Sequence, residues 1–325
     1  MYHQFFGLTS PPFRITPDTA AFYAGAEREA LLNAVIYAIN HGDGIIKVVG
    51  EVGSGKTMLT RMLEKQLPDS VTVIYLPNPS LPAEDLIFAI AHELKLSFDN
   101  GQGKTHVLQQ VHAELLNLHA KQQRVVVFID EAQCMPLDTL EELRLLSNLE
   151  TETDKLLQLV LFGQPELDTH LSQPSVRQIR ERIIHNFYLH PFSTDEVAEY
   201  LAFRLHKAGH NGPSLFSKGA LKLLARYSRG LPRKLSILAD KSLLAAYADQ
   251  STKVQNRHVH TAHRDDSLRA ANSRSLAKAL SVVLSVAALA GLTWLLSSYW
   301  PALENRVAST WAEPQAQLSV EPSPA

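Results

Sequence analysis

A glycine-rich run at residues 50–57 carries the residue types that most clearly indicate chemistry. The run, GEVGSGKT, fits G-x-x-x-x-G-K-[ST] at every fixed position, follows an apolar stretch and precedes the helix-patterned MLTRMLEKQL. Glycines let backbone N–H groups converge on phosphate oxygens, and the start of a helix favours negative charge. In such a loop Lys56 reaches the β- and γ-phosphates, and the Thr57 hydroxyl ligates Mg²⁺. We expect ATP and Mg²⁺ to bind here, with the nucleotide contacted by Gly50, Glu51, Val52, Gly53, Ser54, Gly55, Lys56, Thr57 and Met58.

Two acidic residues stand where another strand is expected to end. The segment RVVVFIDEAQ has an apolar run up to Ile129, followed at once by Asp130 and Glu131. Ligands of open α/β sheets bind beyond the carboxyl ends of the strands. We expect Asp130 to hold Mg²⁺, directly or through water, and Glu131 to polarise an attacking water. The loop and this acidic pair together favour an enzyme that hydrolyses ATP.

Further polar residues are placed to act near the γ-phosphate. Gln164 follows the apolar run LQLVLF and could orient water, and Arg233 in SRGLPRKLS could reach the nucleotide from a second domain. The segment SVRQIRERI contains Arg177, Arg180 and Arg182, and arginines supplied by a neighbouring subunit stabilise phosphoryl transfer. A basic run of this kind is, however, usually a solvated helix face.

The elements that must position these residues alternate between strand and helix patterns. Near-continuous apolar runs predict buried parallel strands, and the amphipathic stretches between them predict helices. The predicted strands are Ile45–Val49, Val71–Leu76, Val125–Ile129, Leu157–Phe162 and Ile184–Leu189, and the helices include Ala83–Leu96, His106–Ala120 and Leu137–Leu149. This alternation predicts a doubly wound α/β domain over residues 1–190. From residue 193 the strands stop, and three helix patterns predict a small all-helical lid domain over residues 191–265.

The segment from Ala279 to Trp300 differs in kind from the rest of the chain. It contains no charged residue and is mostly apolar, and a bilayer-spanning helix needs roughly 20 such residues. Basic residues lie in the linker 266–278 before it, whereas the tail 301–325 holds only Arg306. Because an excess of Lys and Arg marks the cytoplasmic side, we predict a transmembrane helix with the N-terminal region in the cytoplasm and a short, disordered tail outside.

The composition of the chain excludes few classes of function. The chain has 325 residues, of which 45% are hydrophobic and 20% charged, as in globular proteins with a buried core. The formal net charge of −2 argues only weakly against nucleic-acid binding, because a local basic patch can be hidden in the average. The single cysteine, Cys134, excludes an intramolecular disulfide. The first residues lack a basic segment followed by an apolar run, so a secretory signal is not expected.

Taken in order, these motifs resemble those of a known family. The phosphate loop, FIDEAQ, LFGQPEL, RQIRERI and GLPRKLS resemble an AAA+ ATPase. Together with the opening FFGLTSPPFRITPDTAAFY, they resemble the ExeA/GspA group of type II secretion and type IV pili. Within that group, GEVGSGKTMLTRML, YLPNP and LLQLVLFGQPELD are most similar to the branch that serves mannose-sensitive haemagglutinin (MSHA) pilus biogenesis. The resemblance extends over about residues 1–265.

The resemblance implies roles and partners. It implies a homo-oligomeric ring, attached to the bacterial inner membrane and its lipid, that works with pilus or secretion platform proteins and without nucleic acid. Longer members of the group carry an outer peptidoglycan-binding domain, and we do not expect the 25 residues 301–325 to form one. The implied roles are Walker A for Gly50–Thr57, Walker B for Asp130 and Glu131, sensor 1 for Gln164, arginine finger for Arg180 or Arg182, and sensor 2 for Arg233.

Two other functions remain open at this point. Transposition helper ATPases have a similar core and the DEAQ stretch, so an ATP-dependent DNA-binding protein is one alternative. A nucleotide-gated scaffold that binds ATP and rarely hydrolyses it is the other. Stimulation of ATP turnover by DNA would favour the first. The Glu131→Gln variant separates an active ATPase from the second, because an active ATPase should lose turnover and keep ATP, whereas an unchanged rate would remove Glu131 from the mechanism.

Overall fold

The computed structural model describes most of the chain up to residue 265. The described residues are 2–14, 16–42, 44–77, 79–98, 101, 103–265 and 291. Residues up to His263 belong to one compact unit. The predicted linker, membrane helix and tail lie outside the described residues, apart from Gly291. No helix within the described ranges is long and apolar enough to cross a membrane, and the helix at 279–300 stays a prediction.

A five-stranded parallel sheet forms the centre of the described part of the chain. The strands are β1 Ile45–Gly50, β2 Val71–Leu76, β3 Arg124–Ile129, β4 Leu157–Gly163 and β5 Ile183–Leu189. Their spatial order is β2-β3-β4-β1-β5. The five predicted strands are confirmed, and no end differs from its predicted position by more than one residue.

Helices connect the strands and then continue beyond the last one. Short 3-10 helices occupy Thr19–Ala21, Ala132–Cys134 and Pro174–Val176. Residues 256–265 are also helical. The α-helices are α1 Tyr2–Phe5, α2 Arg28–His41, α3 Lys56–Gln66, α4 Ala83–Glu93, α5 Lys104–Ala120, α6 Leu137–Leu146, α7 Glu166–Leu171, α8 Arg177–Arg180, α9 Thr194–Lys207, α10 Lys218–Ser228 and α11 Pro232–Ala248.

Apolar layers cover both faces of the sheet. On one face Ile46 and Val48 of β1 pack with α2 and α3, for example through Leu63. On the other face the alternate residues of β1, β3 and β4 pack with α4, α5 and α6. Successive side chains of a strand point to opposite faces, so a slip of one residue would exchange the two layers. The prediction of a doubly wound α/β domain is therefore confirmed.

Two helices end earlier than their apolar patterns predict. α4 ends at Glu93 instead of Leu96, because Lys95 has a φ of 59°, and an α-helix does not continue through left-handed backbone. Leu96 still packs against the core after the helix has ended, which explains the longer pattern. α6 ends at Leu146, before the predicted Leu149, and α5 begins two residues earlier than predicted.

The helices after β5 have a separate apolar core, which includes the beginning of the chain. Buried residues of α9, α10 and α11 pack with Phe6, Leu8 and Phe13. Ser193 caps α9 in a capping box with Glu196, and such a cap contributes about 1 kcal/mol. The three helices predicted in this region are confirmed.

A close backbone contact marks the passage from β5 into this helical region. Phe192 N donates to the carbonyl oxygen of Gly230 at 2.9 Å. Gly230 has a φ of 71°, and a Cβ placed there would collide with the backbone of Phe192. Both the left-handed conformation and the close approach therefore require glycine at this position.

We predict that Gly230→Ala lowers the free energy of unfolding by about 1–3 kcal/mol, because it adds a steric clash to a left-handed residue. Urea unfolding followed by circular dichroism measures the change. Gly103→Ala is the control for the steric effect, since Gly103 has a φ of −68° and nothing lies within 4 Å of the added Cβ. Because Gly103 is the N-cap of α5, where alanine is less favourable than glycine, its effect should be smaller, at most about 1 kcal/mol. Equal stability of the two variants would contradict the steric explanation.

Candidate active site

The glycine-rich loop joins the end of β1 to the start of α3. Gly50 is the last residue of β1, and α3 begins at Lys56. Gly53 and Gly55 have φ values of 79° and 107°, in the region that side chains disfavour. A Cβ added to Gly53 would lie 2.8 Å from the Cβ of Arg233. The loop thus places its backbone at the N-terminus of an α-helix, which is an arrangement that binds anions.

Lys56 brings a buried positive charge to this loop. Its side chain is largely inaccessible, and Nζ donates to the carbonyl oxygens of Gly50 at 2.7 Å and Glu51 at 3.3 Å. Burial lowers the pKa of Lys56, and the carboxylates of Glu131 and Asp130 partly offset that effect. The lysine therefore stands between the loop and the two acidic residues that follow β3.

Arg28 connects the loop to the end of the sheet. This buried residue of α2 donates from Nη1 to the carbonyl oxygen of Ser54 at 2.7 Å and from Nη2 to that of His190 at 2.9 Å. Its guanidinium carbon lies 4.9 Å from the ring centroid of Phe192. Burial lowers the pKa of Arg28 to about 10, with Glu196 acting in the opposite direction. Arg28 is therefore charged at neutral pH, and it holds the loop to the entry of the helical region.

A cavity of about 510 Å³ opens between the loop and the helical region. Its lining includes Phe22, Tyr23, Arg28, Val52, Gly53, Ser54, Gly55, Lys56, Thr57, Met58, Glu131, Tyr200 and Arg233. Arg233 N donates to the carbonyl oxygen of Gly53 at 3.2 Å, so α11 begins in contact with the loop. The hydroxyl of Ser54 is buried and has no hydrogen-bond partner among the described residues. This volume is within the usual range of about 300–1,000 Å³ for small-molecule sites.

Each oxygen of the Asp130 carboxylate accepts a hydrogen bond, which fixes its orientation. Asp130 directly follows β3 and is buried. Its Oδ1 accepts from Glu131 N at 2.9 Å, and its Oδ2 accepts from the Tyr75 hydroxyl at 3.0 Å. Burial, together with the charge and the hydrogen bond of Asp130, raises the pKa of Tyr75 to about 12. The phenol is therefore protonated at neutral pH and remains a donor to Asp130.

Two glutamine amides hold the carboxylate of Glu131. Oε2 accepts from Gln133 Nε2 at 2.6 Å and from Gln164 Nε2 at 2.8 Å. Gln164 follows β4, so the structure brings it to the acidic residues after β3. Partial burial raises the pKa of Glu131, but the hydrogen bonds from Gln133 and Gln164 and the charge of Lys56 outweigh burial, and the pKa lies below its ordinary value. Glu131 is therefore ionised at neutral pH.

The arginines between β4 and β5 are not brought to this site within one chain. The carbonyl oxygen of Arg182 accepts from Ile45 N, at the start of β1, whereas the loop follows the end of that strand. The Arg182 side chain donates to the Ser147 hydroxyl at 3.1 Å. Arg177 pairs with Glu181. Arg180 is exposed, and its side chain makes no hydrogen bond or ion pair with any described residue.

The residues present fit a nucleoside triphosphate with Mg²⁺. The loop backbone, Lys56 and the unpartnered Ser54 hydroxyl supply donors for phosphate oxygens. Thr57, the second residue of α3, and Asp130 supply oxygen ligands of the kind that Mg²⁺ takes together with phosphates. Within the described ranges, no group of three or more His, Cys, Asp or Glu residues is placed to hold a metal ion.

Three residues of the site were not singled out from the sequence. Gln133 lies in the FIDEAQ motif, and the motif itself was a signal that could have identified it. Arg28 and Tyr75 lie in ordinary helix and strand patterns, and no local feature distinguishes them. Their contacts arise only when the sheet is assembled.

A parallel sheet with a phosphate loop after β1 and acidic residues after β3 defines the P-loop class of nucleotide-binding folds. Residues 39–171 match the family model described as AAA domain. The chain is also 41% identical, over 262 residues, to General secretion pathway protein A of Aeromonas hydrophila. That alignment covers 81% of this chain and 48% of the relative, so the chain spans about half the length of the curated relative it matches.

Solved structures with the same fold come from other contexts. Cdc6p from Pyrobaculum aerophilum has a TM-score of 0.57 at 19% identity, over 81% of this chain and 70% of that one. ORC1 of Aeropyrum pernix, in complex with DNA, has a TM-score of 0.56 at 18% identity, over 78% of this chain and 69% of that one. The branch migration motor RuvB of Thermotoga maritima has a TM-score of 0.51 at 17% identity, over 77% of this chain and 73% of that one. At these identities the likeness establishes the fold alone.

Proposed function

We propose that this chain binds ATP with Mg²⁺ and hydrolyses it. The observation that carries the proposal is the placement of the Glu131 carboxylate, which two amides hold beside the Lys56 loop at the carboxyl ends of β3 and β4. An ionised carboxylate at that place is suited to accept a proton from water. A loop that only bound phosphate would not need it.

In this proposal the reaction is an in-line displacement at the γ-phosphorus. Water forms the new O–P bond and gives its proton to Glu131, while the bond to the β,γ-bridging oxygen breaks and leaves ADP and phosphate. Lys56 balances negative charge on the β- and γ-phosphates, and Gln164 orients the water. Thr57 and Asp130 would hold Mg²⁺, which would supply neutralisation of the phosphate charge.

We further propose that hydrolysis is coupled to the helical region and to a neighbouring subunit. Support for the first part is the bond between Arg233 N and the Gly53 carbonyl, which a bound nucleotide would perturb. Arg180 or Arg182 would act on the nucleotide of the next subunit in a homo-oligomeric ring. Arg180 is the better candidate, because it is exposed and Arg182 is engaged with Ser147.

The proposed setting is the cytoplasmic face of a bacterial inner membrane, where the chain would assemble or remodel a cell-envelope machine. The relative named General secretion pathway protein A supports a role in type II secretion. The sequence motifs favour the MSHA pilus branch, and MshM in particular. The apolar, uncharged segment 279–300 would be the anchor. Partners in this proposal are inner-membrane pilus or secretion platform proteins and membrane lipid.

We predict that Lys56→Ala weakens the binding of Mg²⁺-ATP by about 10- to 100-fold, because it removes a charged hydrogen-bond donor to the phosphates. Isothermal titration calorimetry measures the dissociation constant. Lys65→Ala is the matched control, because Lys65 is exposed in the last turn of the same helix; its affinity should equal that of the unmodified chain. Equal affinity of the Lys56 and Lys65 variants would contradict nucleotide binding at the loop.

A second prediction separates envelope partners from DNA. The Glu131→Gln variant, loaded with ATP and used as bait in detergent-solubilised membranes, should retain pilus or secretion platform proteins, whereas the Lys56→Ala bait should not. DNA should leave the ATP turnover of the unmodified chain unchanged. Strong stimulation of turnover by DNA that disappears at high salt would instead favour the DNA-binding alternative.

A further inference from the structure

Gln133 is a polar residue of the site, and it has no role in the reaction as proposed above. It lies in the 3-10 helix Ala132–Cys134, directly after the acidic pair, and its side chain is half-buried. Its position is set by the chain reversal after β3, where Glu131 adopts a left-handed conformation with φ 51°. The reversal turns the side chain of Gln133 back toward the carboxylate of Glu131.

Both the NH₂ group and the oxygen of the Gln133 side-chain amide make hydrogen bonds. Nε2 donates to Glu131 Oε2 at 2.6 Å, and Oε1 accepts from the backbone N of Gln164 at 2.9 Å. Nε2 also lies 3.6 Å from the sulfur of Cys134, which is a much weaker acceptor. The backbone N–H of Gln164 can only donate, so it must face the amide oxygen, and this fixes the NH₂ group on Glu131.

Gln133 and Gln164 converge on the same oxygen of Glu131. The side-chain amide of Gln164 donates to Oε2 at 2.8 Å, while its backbone N–H holds Gln133. The three residues therefore close a ring of hydrogen bonds between the ends of β3 and β4. With Oε2 occupied by two donors, the direction of the Glu131 carboxylate is determined, and Oε1 is the oxygen left to meet a reacting water.

We propose that Gln133 is a positioning residue for the reaction. Together with Gln164 it fixes the orientation of the Glu131 carboxylate, so that the other carboxylate oxygen faces the attacking water. This proposal rests on the ATPase function proposed above. Gln133 would touch neither the nucleotide nor the water; it acts through Glu131. The consequence is that Gln133 should affect the chemical step and not the affinity for ATP.

Two variants of Gln133 separate this role from a purely structural one. Gln133→Leu removes the donor and the acceptor, whereas Gln133→Glu keeps the acceptor for Gln164 N and replaces the donor by a second carboxylate opposite Glu131. We expect both to lower kcat by about 10-fold or more at an unchanged dissociation constant for ATP, since the loss of one such hydrogen bond to a charged group has about that effect. If Gln133 only held the loop after β4, Gln133→Glu would retain the activity.

The decisive measurement is a double-mutant cycle of ATP turnover with Gln133→Leu and Glu131→Gln in the full chain. If Gln133 acts through Glu131, Gln133→Leu should produce no further loss in the Glu131→Gln background. Gln109→Leu, on the exposed surface of α5, is the control for the substitution itself and should leave kcat unchanged. Independent losses that multiply, or a normal kcat in Gln133→Leu, would overturn the positioning role.

The same data distinguish a failure of this inference from a failure of the ATPase proposal. An unmodified chain without turnover, or a Glu131→Gln variant as fast as the unmodified chain, would reject both. An active chain that depends on Glu131 but tolerates Gln133→Leu would reject the role of Gln133 alone. A Gln133→Leu variant that loses ATP affinity in proportion to kcat would also reject it, because positioning of the carboxylate does not alter binding.

Discussion

The parallel pairing of β3, β4 and β1 is the constraint on which the site depends. Because neighbouring strands run in the same direction, their carboxyl ends meet at one edge of the sheet. Three distant parts of the sequence are thereby brought together: the loop ending in Lys56, the acidic pair after β3, and Gln164 after β4. The apolar layers on both faces keep this alignment, because a slip of one residue would move each side chain of a strand into the opposite layer and disrupt the packing of both.

The phosphate loop is held from outside the sheet as well. Its Ser54 carbonyl accepts from Arg28 on α2, and its Gly53 carbonyl accepts from the backbone of Arg233 on α11. Arg28 also reaches the carbonyl of His190, where the chain leaves the sheet for the helical region. A phosphate that shifts the loop backbone would therefore act directly on bonds to the helical region, which gives the proposed coupling a physical basis.

Sequence patterns predicted the strands closely because strands of a parallel sheet that are buried on both faces, such as β1, β3 and β4, appear as near-continuous apolar runs. Helix ends were less well predicted, since Leu96 still packs on the core after its helix has ended. The loop and the acidic pair have local signatures, but Arg28 does not: its partners Ser54 and His190 lie 26 and 162 positions away. Tyr75 likewise meets Asp130 only across the pairing of β2 with β3.

A single-turnover measurement tests most directly whether Glu131 acts as the base of an ATP hydrolase. Excess protein is mixed with limiting γ-labelled ATP and Mg²⁺, quenched at intervals, and the released phosphate is counted. The unmodified chain should convert the bound ATP to ADP and phosphate. Glu131→Gln should bind ATP equally well and release phosphate at least about 100-fold more slowly, as expected for the loss of a general base. Release at the unmodified rate would contradict the role of Glu131.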